Sequence, residues 1–96
     1  MGGTTFFITS KGDTAKEAFQ NAVAEAQYES GHGGYTGTIA EKRSFTMIPF
    51  PAGKDAYDYA YELIDNCDRR IDDKWGPAGC FALGDGQYAF FGWASC

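Results

Sequence analysis

A helix with an alanine face, running into a cluster of glycines, constrains this chain more than any other stretch. Thr14-Ala15-Lys16-Glu17 has the form of a capping box, in which the threonine hydroxyl takes a free N–H of the first turn and the glutamate reaches back. Ala15, Ala18, Phe19, Ala22, Val23 and Ala26 follow at helical spacing and share one side. A side made mostly of alanine lets a helix lie close to a sheet, so the rest of the chain is expected to supply one. Gly31 is placed to stop the helix, because glycine takes left-handed geometry without a Cβ penalty. The joint from Tyr28 to Thr38 holds the single histidine and four of the thirteen glycines.

The sheet is legible on both sides of that joint. Residues 4–10 are β-branched and aromatic and read as a strand. Tyr35 to Glu41 alternates, Lys42-Arg43-Ser44 resembles a turn, and Phe45 to Ile48 reads as a returning strand that Pro49 and Pro51 end. The expectation is an antiparallel hairpin. A second helix begins near Gly53-Lys54-Asp55, with Ala56, Ala60, Leu63, Ile64, Cys67 and Ile71 on one face, flanked by Tyr57 and Tyr61. Asp58, Glu62, Asp65 and Asp72 take the opposite side, with Arg69 among them; residues 68–73 read equally as more helix or as a separate turn. Trp75-Gly76-Pro77 stops the helix in either case. Residues 79–83 and 87–93 form a hairpin signal around Gly84-Asp85-Gly86. The last strand carries aromatics on both faces, so it is either central in the sheet or turned toward a partner.

The resulting order is β-α-β-β-α-β-β. It predicts a two-layer α+β fold, with a mainly antiparallel sheet and two helices on one face. The first six elements match the ferredoxin-like plan, and the fifth strand is an addition.

Ninety-six residues suffice for one domain spanning residues 1–96. At 17% aromatic content, large rings are expected to carry much of a small core. The net charge of −5 disfavours direct nucleic-acid binding and suits a basic protein surface. No basic segment followed by an apolar run opens the chain, and no apolar stretch approaches the roughly 20 residues that span a bilayer. Cys67, Cys80 and Cys96 show no metal-ligand spacing and read as reduced thiols, Cys80 as a small core residue. These features set the expectation of a cytoplasmic protein with no metal, cofactor or membrane partner.

Three stretches carry candidate chemistry. Phosphate loops put glycines before a helix, whereas here they follow one, at the negative end of its dipole. The joint has neither Walker spacing nor a dinucleotide fingerprint. It reads as a helix cap and tight turn, or as bare backbone beside a small ligand with His32, Gly33, Gly34, Tyr35, Thr36 and Glu41 around it. Catalysis by His32 needs an orienting carboxylate, for which Glu29 is available, and a nucleophile that the sequence does not name. No catalytic residue is assigned. Residues 55–73 hold seven of the thirteen carboxylates, which form a solvated face or a recognition surface for a Lys/Arg-rich protein. Asp58, Glu62, Asp65, Asp72 and Trp75 are the candidate partner-binding residues; Trp93 reads as core.

Gly31-His32-Gly33-Gly34-Tyr35-Thr36-Gly37-Thr38-Ile39-Ala40-Glu41-Lys42, with Trp75-Gly76-Pro77 and Phe90 to Ser95, resembles segments of small proteins carried by phages, plasmids and related mobile elements. The resemblance implies a setting, the host cytoplasm, in which small acidic proteins bind and block host defence complexes, anti-CRISPR proteins among them. The function expected is non-catalytic binding to a basic surface of a protein or nucleoprotein complex through the acidic helix. The alternatives are a small-molecule binder or minor enzyme at the joint, and a structural homo-oligomer using its last strand.

Overall fold

A computed structural model describes residues 3–30, 38–73 and 75–95. Strand β1 spans Gly3–Lys11, helix α1 Ala15–Ser30, strand β2 Phe45–Met47, helix α2 Ala56–Asp65, strand β3 Ala78–Gly84 and strand β4 Gln87–Ser95. They form an α+β fold: one open four-stranded mixed sheet in the order β1-β4-β3-β2, with two helices. This is compatible with a relative of the ferredoxin-like plan. Two of its three strand pairings, β1 with β4 and β3 with β4, are antiparallel.

α1 starts as its sequence dictates. The Glu17 N–H donates to Thr14 Oγ1 at 3.1 Å, and Glu17 Oε1 reaches one residue further back than the box implies, accepting from the Asp13 N–H at 3.0 Å. Ala18 and Ala22 are fully buried, with Phe19 and Ala26 beside them. Between β1 and α1, Gly12 is sterically fixed, since a Cβ there would lie 2.5 Å from the Ala18 nitrogen. β3 and β4 form the expected hairpin. Asp85 and Gly86 both have positive φ, 55° and 75°, as a two-residue turn of the type I′ class demands.

Three expectations about the strands are corrected. The strand over 35–41 fails in its described part: Ile39–Glu41 is one turn of 3-10 helix, capped by Thr38, whose hydroxyl accepts the Ala40 N–H at 3.2 Å. That local side-chain bond competes with strand pairing, and it sets Ile39 inward at 1% exposure. Residues 35–37 lie outside the described residues. β2 consequently has no hairpin partner before it; it pairs parallel with β3, Phe45 opposite Ala78 and Met47 opposite Cys80, and α2 is the crossover that a parallel connection requires. Among the described residues the sheet has four strands, not five.

The helices do not share a face. α1 packs with Phe6, Cys80, Phe90 and Ala94, whereas α2 packs with Phe81, Ala89 and Phe91. Neighbouring residues of β4 thus point into two different cores, and the molecule has three layers. Successive side chains of a strand point to opposite faces, so the aromatics on both sides of β4 are what a central strand covered twice needs. The last strand is therefore not an exposed oligomerisation surface.

Candidate protein-binding surface

α2 owes its orientation to its two ends. Asp55 caps the start, its Oδ2 accepting the Asp58 N–H at 3.0 Å. At the other end the Asp68 N–H reaches Leu63 O at 3.0 Å and the Cys67 N–H reaches Ile64 O at 3.1 Å. This is a Schellman motif with Cys67, at φ 54°, in the left-handed position usually given to glycine. Helical spacing predicts Cys67 on the buried face; the motif ends the helix first and leaves Cys67 exposed. Residues 66–73 are turns and irregular chain, and Ile71 is buried at 1% exposure.

Ala60, Leu63 and Ile64 anchor α2 to the sheet, which turns Asp58, Glu62 and Asp65 outward on one stripe. Not all of the carboxylates are free for a partner. Asp55 is the cap. Glu62 meets Lys54 at 3.4 Å, both side chains about half exposed. Asp68 holds Arg70 through two side-chain bonds of 2.9 and 2.8 Å, which pull its carboxyl down to about 2. Asp73 Oδ1 accepts the Trp75 N–H at 2.8 Å. The carboxylates of Asp58, Asp65 and Asp72 remain, exposed and with no hydrogen bond or ion pair among the described residues.

An aromatic strip borders the acidic stripe. Tyr57 is 54% exposed; it packs edge-on against Phe7 of β1 at 5.3 Å and, tilted by 40°, against Tyr61 at 4.7 Å. The Tyr61 hydroxyl hydrogen-bonds Thr5 Oγ1 at 3.0 Å. The strip therefore leads from the outer side of α2 onto the first strand. Trp75 is a surface residue at 65% exposure. Its turn is held from beneath by Lys42, which is 4% exposed and donates to Gly76 O at 2.9 Å and Asp73 O at 3.5 Å. Trp93 is half-buried on the α2 side, its indole N–H enclosed and without an acceptor among the described residues.

The structure thus brings Asp58, Glu62 and Asp65 together on α2 and sets Asp72 and Trp75 on the segment after it. His32, Gly33, Gly34, Tyr35 and Thr36, like the side chain of Glu41, lie outside what is described, and so does the proposed small-molecule site. No group of His, Cys, Asp and Glu that could hold a metal occurs among the described residues. The buried Cys80 thiol is pushed up to about 12 by desolvation, which keeps it protonated and inert. No helix of the described residues is long and apolar enough to cross a membrane.

No protein-family model, curated protein or solved structure matches this chain. Sequence reasoning found the acidic stripe through its helical spacing. It missed that Tyr57 ties the stripe to β1, because the contact with Phe7 joins residues fifty positions apart.

Proposed function

We propose that this protein is a non-catalytic binding domain that meets a basic protein surface through the outer side of α2. The observation carrying this reading is that the carboxylates of Asp58 and Asp65, two turns apart on one stripe, have no hydrogen bond or ion pair among the described residues, and that the exposed ring of Tyr57 lies on the same helix. Carboxylates alone supply a long-range attraction that salt screens within about 10 Å at 0.1 M. A rigid tyrosine beside them adds apolar contact that salt does not weaken. The resemblance to mobile-element proteins supplies the setting: an inhibitor that occupies a Lys/Arg-rich surface of a host defence complex.

The test begins with a partner captured from host lysate and purified. Affinity should fall as ionic strength rises. Joint reversal, Asp58→Lys with Asp65→Lys, should weaken it by about tenfold or more, equivalent to about 1.4 kcal/mol. Unchanged affinity after that reversal, with the fold intact by circular dichroism, would sink the reading.

A further inference from the structure

The first strand is an edge with a legible register. The Gly12 N–H donates to Gly86 O at 3.0 Å, continuing the pairing of Lys11 with Gln87. Antiparallel pairs alternate between bonded and unbonded. Thr4, Phe6, Ile8 and Ser10 therefore bond to β4, and Thr5, Phe7 and Thr9 turn their backbone N–H and C=O groups outward. Lys11 confirms the phase, because its carbonyl faces away from β4 and accepts from Asn21 Nδ2 at 2.9 Å. No backbone hydrogen bond from the described residues reaches the outward groups of Thr5, Phe7 and Thr9. β1 also lacks proline and acidic residues, and its only charge is Lys11 at the far end. It carries few of the devices that close an edge to strand addition.

Charge identifies what the edge would receive. On the α1 side a cleft of about 200 Å3 lies against β1, with Phe6, Ile8, Ala26 and Ile39 in its wall and Glu25 and Glu29 at its border. Both glutamates are exposed, one helical turn apart, and neither carboxylate has a hydrogen bond or ion pair among the described residues. An apolar cleft bordered by two carboxylates matches a lysine or arginine side chain, whose stem buries while its head stays at the mouth. On the opposite face of the same strand stand Phe7 and Tyr57, with Asp58 next in sequence. Carboxylates thus border the edge on its α1 side. A second copy added across this edge by two-fold symmetry would bring Glu25 and Glu29 against themselves, and a net −5 against −5.

We infer that the open edge of β1 takes an extended, lysine- or arginine-bearing segment of a partner protein as an added strand, with one basic side chain seated in the cleft between β1 and α1. Main-chain bonds to Thr5, Phe7 and Thr9 supply affinity, and the side chains that alternate across the new strand supply selectivity. The inference rests on reading the protein as a binder of basic protein, and it adds a conformation and a second contact to that reading.

The probe is a synthetic peptide alternating valine and lysine, titrated into the full chain labelled with 15N. The amides of Thr5, Phe7 and Thr9 should shift and gain protection from hydrogen exchange. A peptide with glutamate for lysine, and one N-methylated along its backbone, should bind at least about tenfold more weakly. Glu25→Lys with Glu29→Lys should cause a similar loss with the melting temperature unchanged. Thr9→Pro, which removes only an outward N–H, should weaken binding while preserving the fold. No saturable binding of the lysine peptide, protection elsewhere, or indifference to the Glu25 and Glu29 reversals overturns the inference. So does protection of the same three amides by concentration-dependent dimerisation without peptide. With the purified natural partner the two ideas separate. Loss of binding on reversing Asp58 and Asp65, with the β1 and α1 variants silent, leaves the acidic stripe standing and removes the edge. The opposite pattern removes the stripe and leaves the edge.

Discussion

Replacing Gly79 by alanine drives a methyl carbon into the second core. A Cβ built at Gly79 lies 2.6 Å from Cζ and 2.7 Å from Cε2 of Phe91, and 3.0 Å from Cγ2 of Ile71. None of these neighbours can yield cheaply. Phe91 is fully buried and its ring sits 4.5 Å from that of Phe81, itself fully buried. The backbone at Gly79 is not left-handed, so the cost is steric. Overpacking of this kind costs about 1–3 kcal/mol. Removing a glycine from a strand returns about 0.5–1 kcal/mol. A net loss of about 1–2 kcal/mol lowers the melting temperature of a domain this size by about 5–15 °C. Thermal and urea unfolding of Gly79→Ala measure it. Gly53→Ala is the control, since Gly53 has φ 84° and open space around it, so its cost is conformational and independent of Phe91. The double variant Gly79→Ala with Phe91→Leu should show a coupling of about 1 kcal/mol or more, because the leucine vacates the space the methyl needs. A Gly79→Ala protein as stable as the parent, or a double variant whose losses simply add, refutes the packing of β3 against Phe91 beneath α2.

The other predictions concern single groups. Cys67→Gly relieves a left-handed non-glycine residue at the end of α2 and should raise stability by about 1 kcal/mol in urea unfolding; a loss would show that the thiol makes a contact of its own. Asp68 is held at about 2 chiefly by its side-chain bonds to Arg70. A depressed carboxyl stabilises the fold above its ordinary value near 4 and loses that contribution as pH falls toward 2. Arg70→Gln should return the Asp68 titration toward its ordinary value in carboxyl NMR and flatten that part of the acid limb. Mass mapping after iodoacetamide at mildly alkaline pH should find Cys67 modified in the native protein and Cys80 only after unfolding, since Cys80 is buried with its thiol raised to about 12. Labelling of Cys80 at the rate of Cys67 would contradict its burial.

How far the sequence reveals this fold depends on the range of each interaction. β1, α1, α2 and the β3–β4 hairpin are readable because their causes are local: a β-branched run, a capping box, a three-to-four residue period, a turn with two left-handed residues. The pairing of β2 is not local. Phe45 meets Ala78 across α2, and nothing within 45–47 records that partner. Ile39 belongs to the same class, since its burial against α1 and β4 turns a plausible strand into a 3-10 turn. The doubled apolar character of β4 did carry the information that both faces are covered. Periodicity alone cannot say whether a helix or another molecule covers each one. At the candidate surface the spacing of Asp58, Glu62 and Asp65 gives the stripe. Which of the neighbouring carboxylates are committed elsewhere depends on Arg70, Lys54 and the backbone of Trp75, contacts that only the folded chain displays.

The aromatic content separates what the core uses from what it leaves outside. On the α1 side Phe19, Phe45 and Phe90 form one group with ring centroids 5.1 to 5.8 Å apart. On the α2 side Phe50, Tyr59, Phe81 and Phe91 form another. Such contacts let a small domain assemble enough buried area despite a helix face made largely of alanine. Tyr57 is different: about half of it faces water, although Phe7 and Tyr61 already pack against it. If the acidic stripe is the binding surface proposed above, Tyr57 would give it what isolated carboxylates lack, a contact whose strength does not fall with salt. If the stripe acted by charge alone, high salt and the Asp58 and Asp65 reversals would each remove all binding. With Tyr57 and the β1 edge contributing, salt should leave a residual affinity that Tyr57→Ala or a blocked edge reduces further. The pattern of residual binding therefore decides whether the surface is a diffuse negative field or a shaped site.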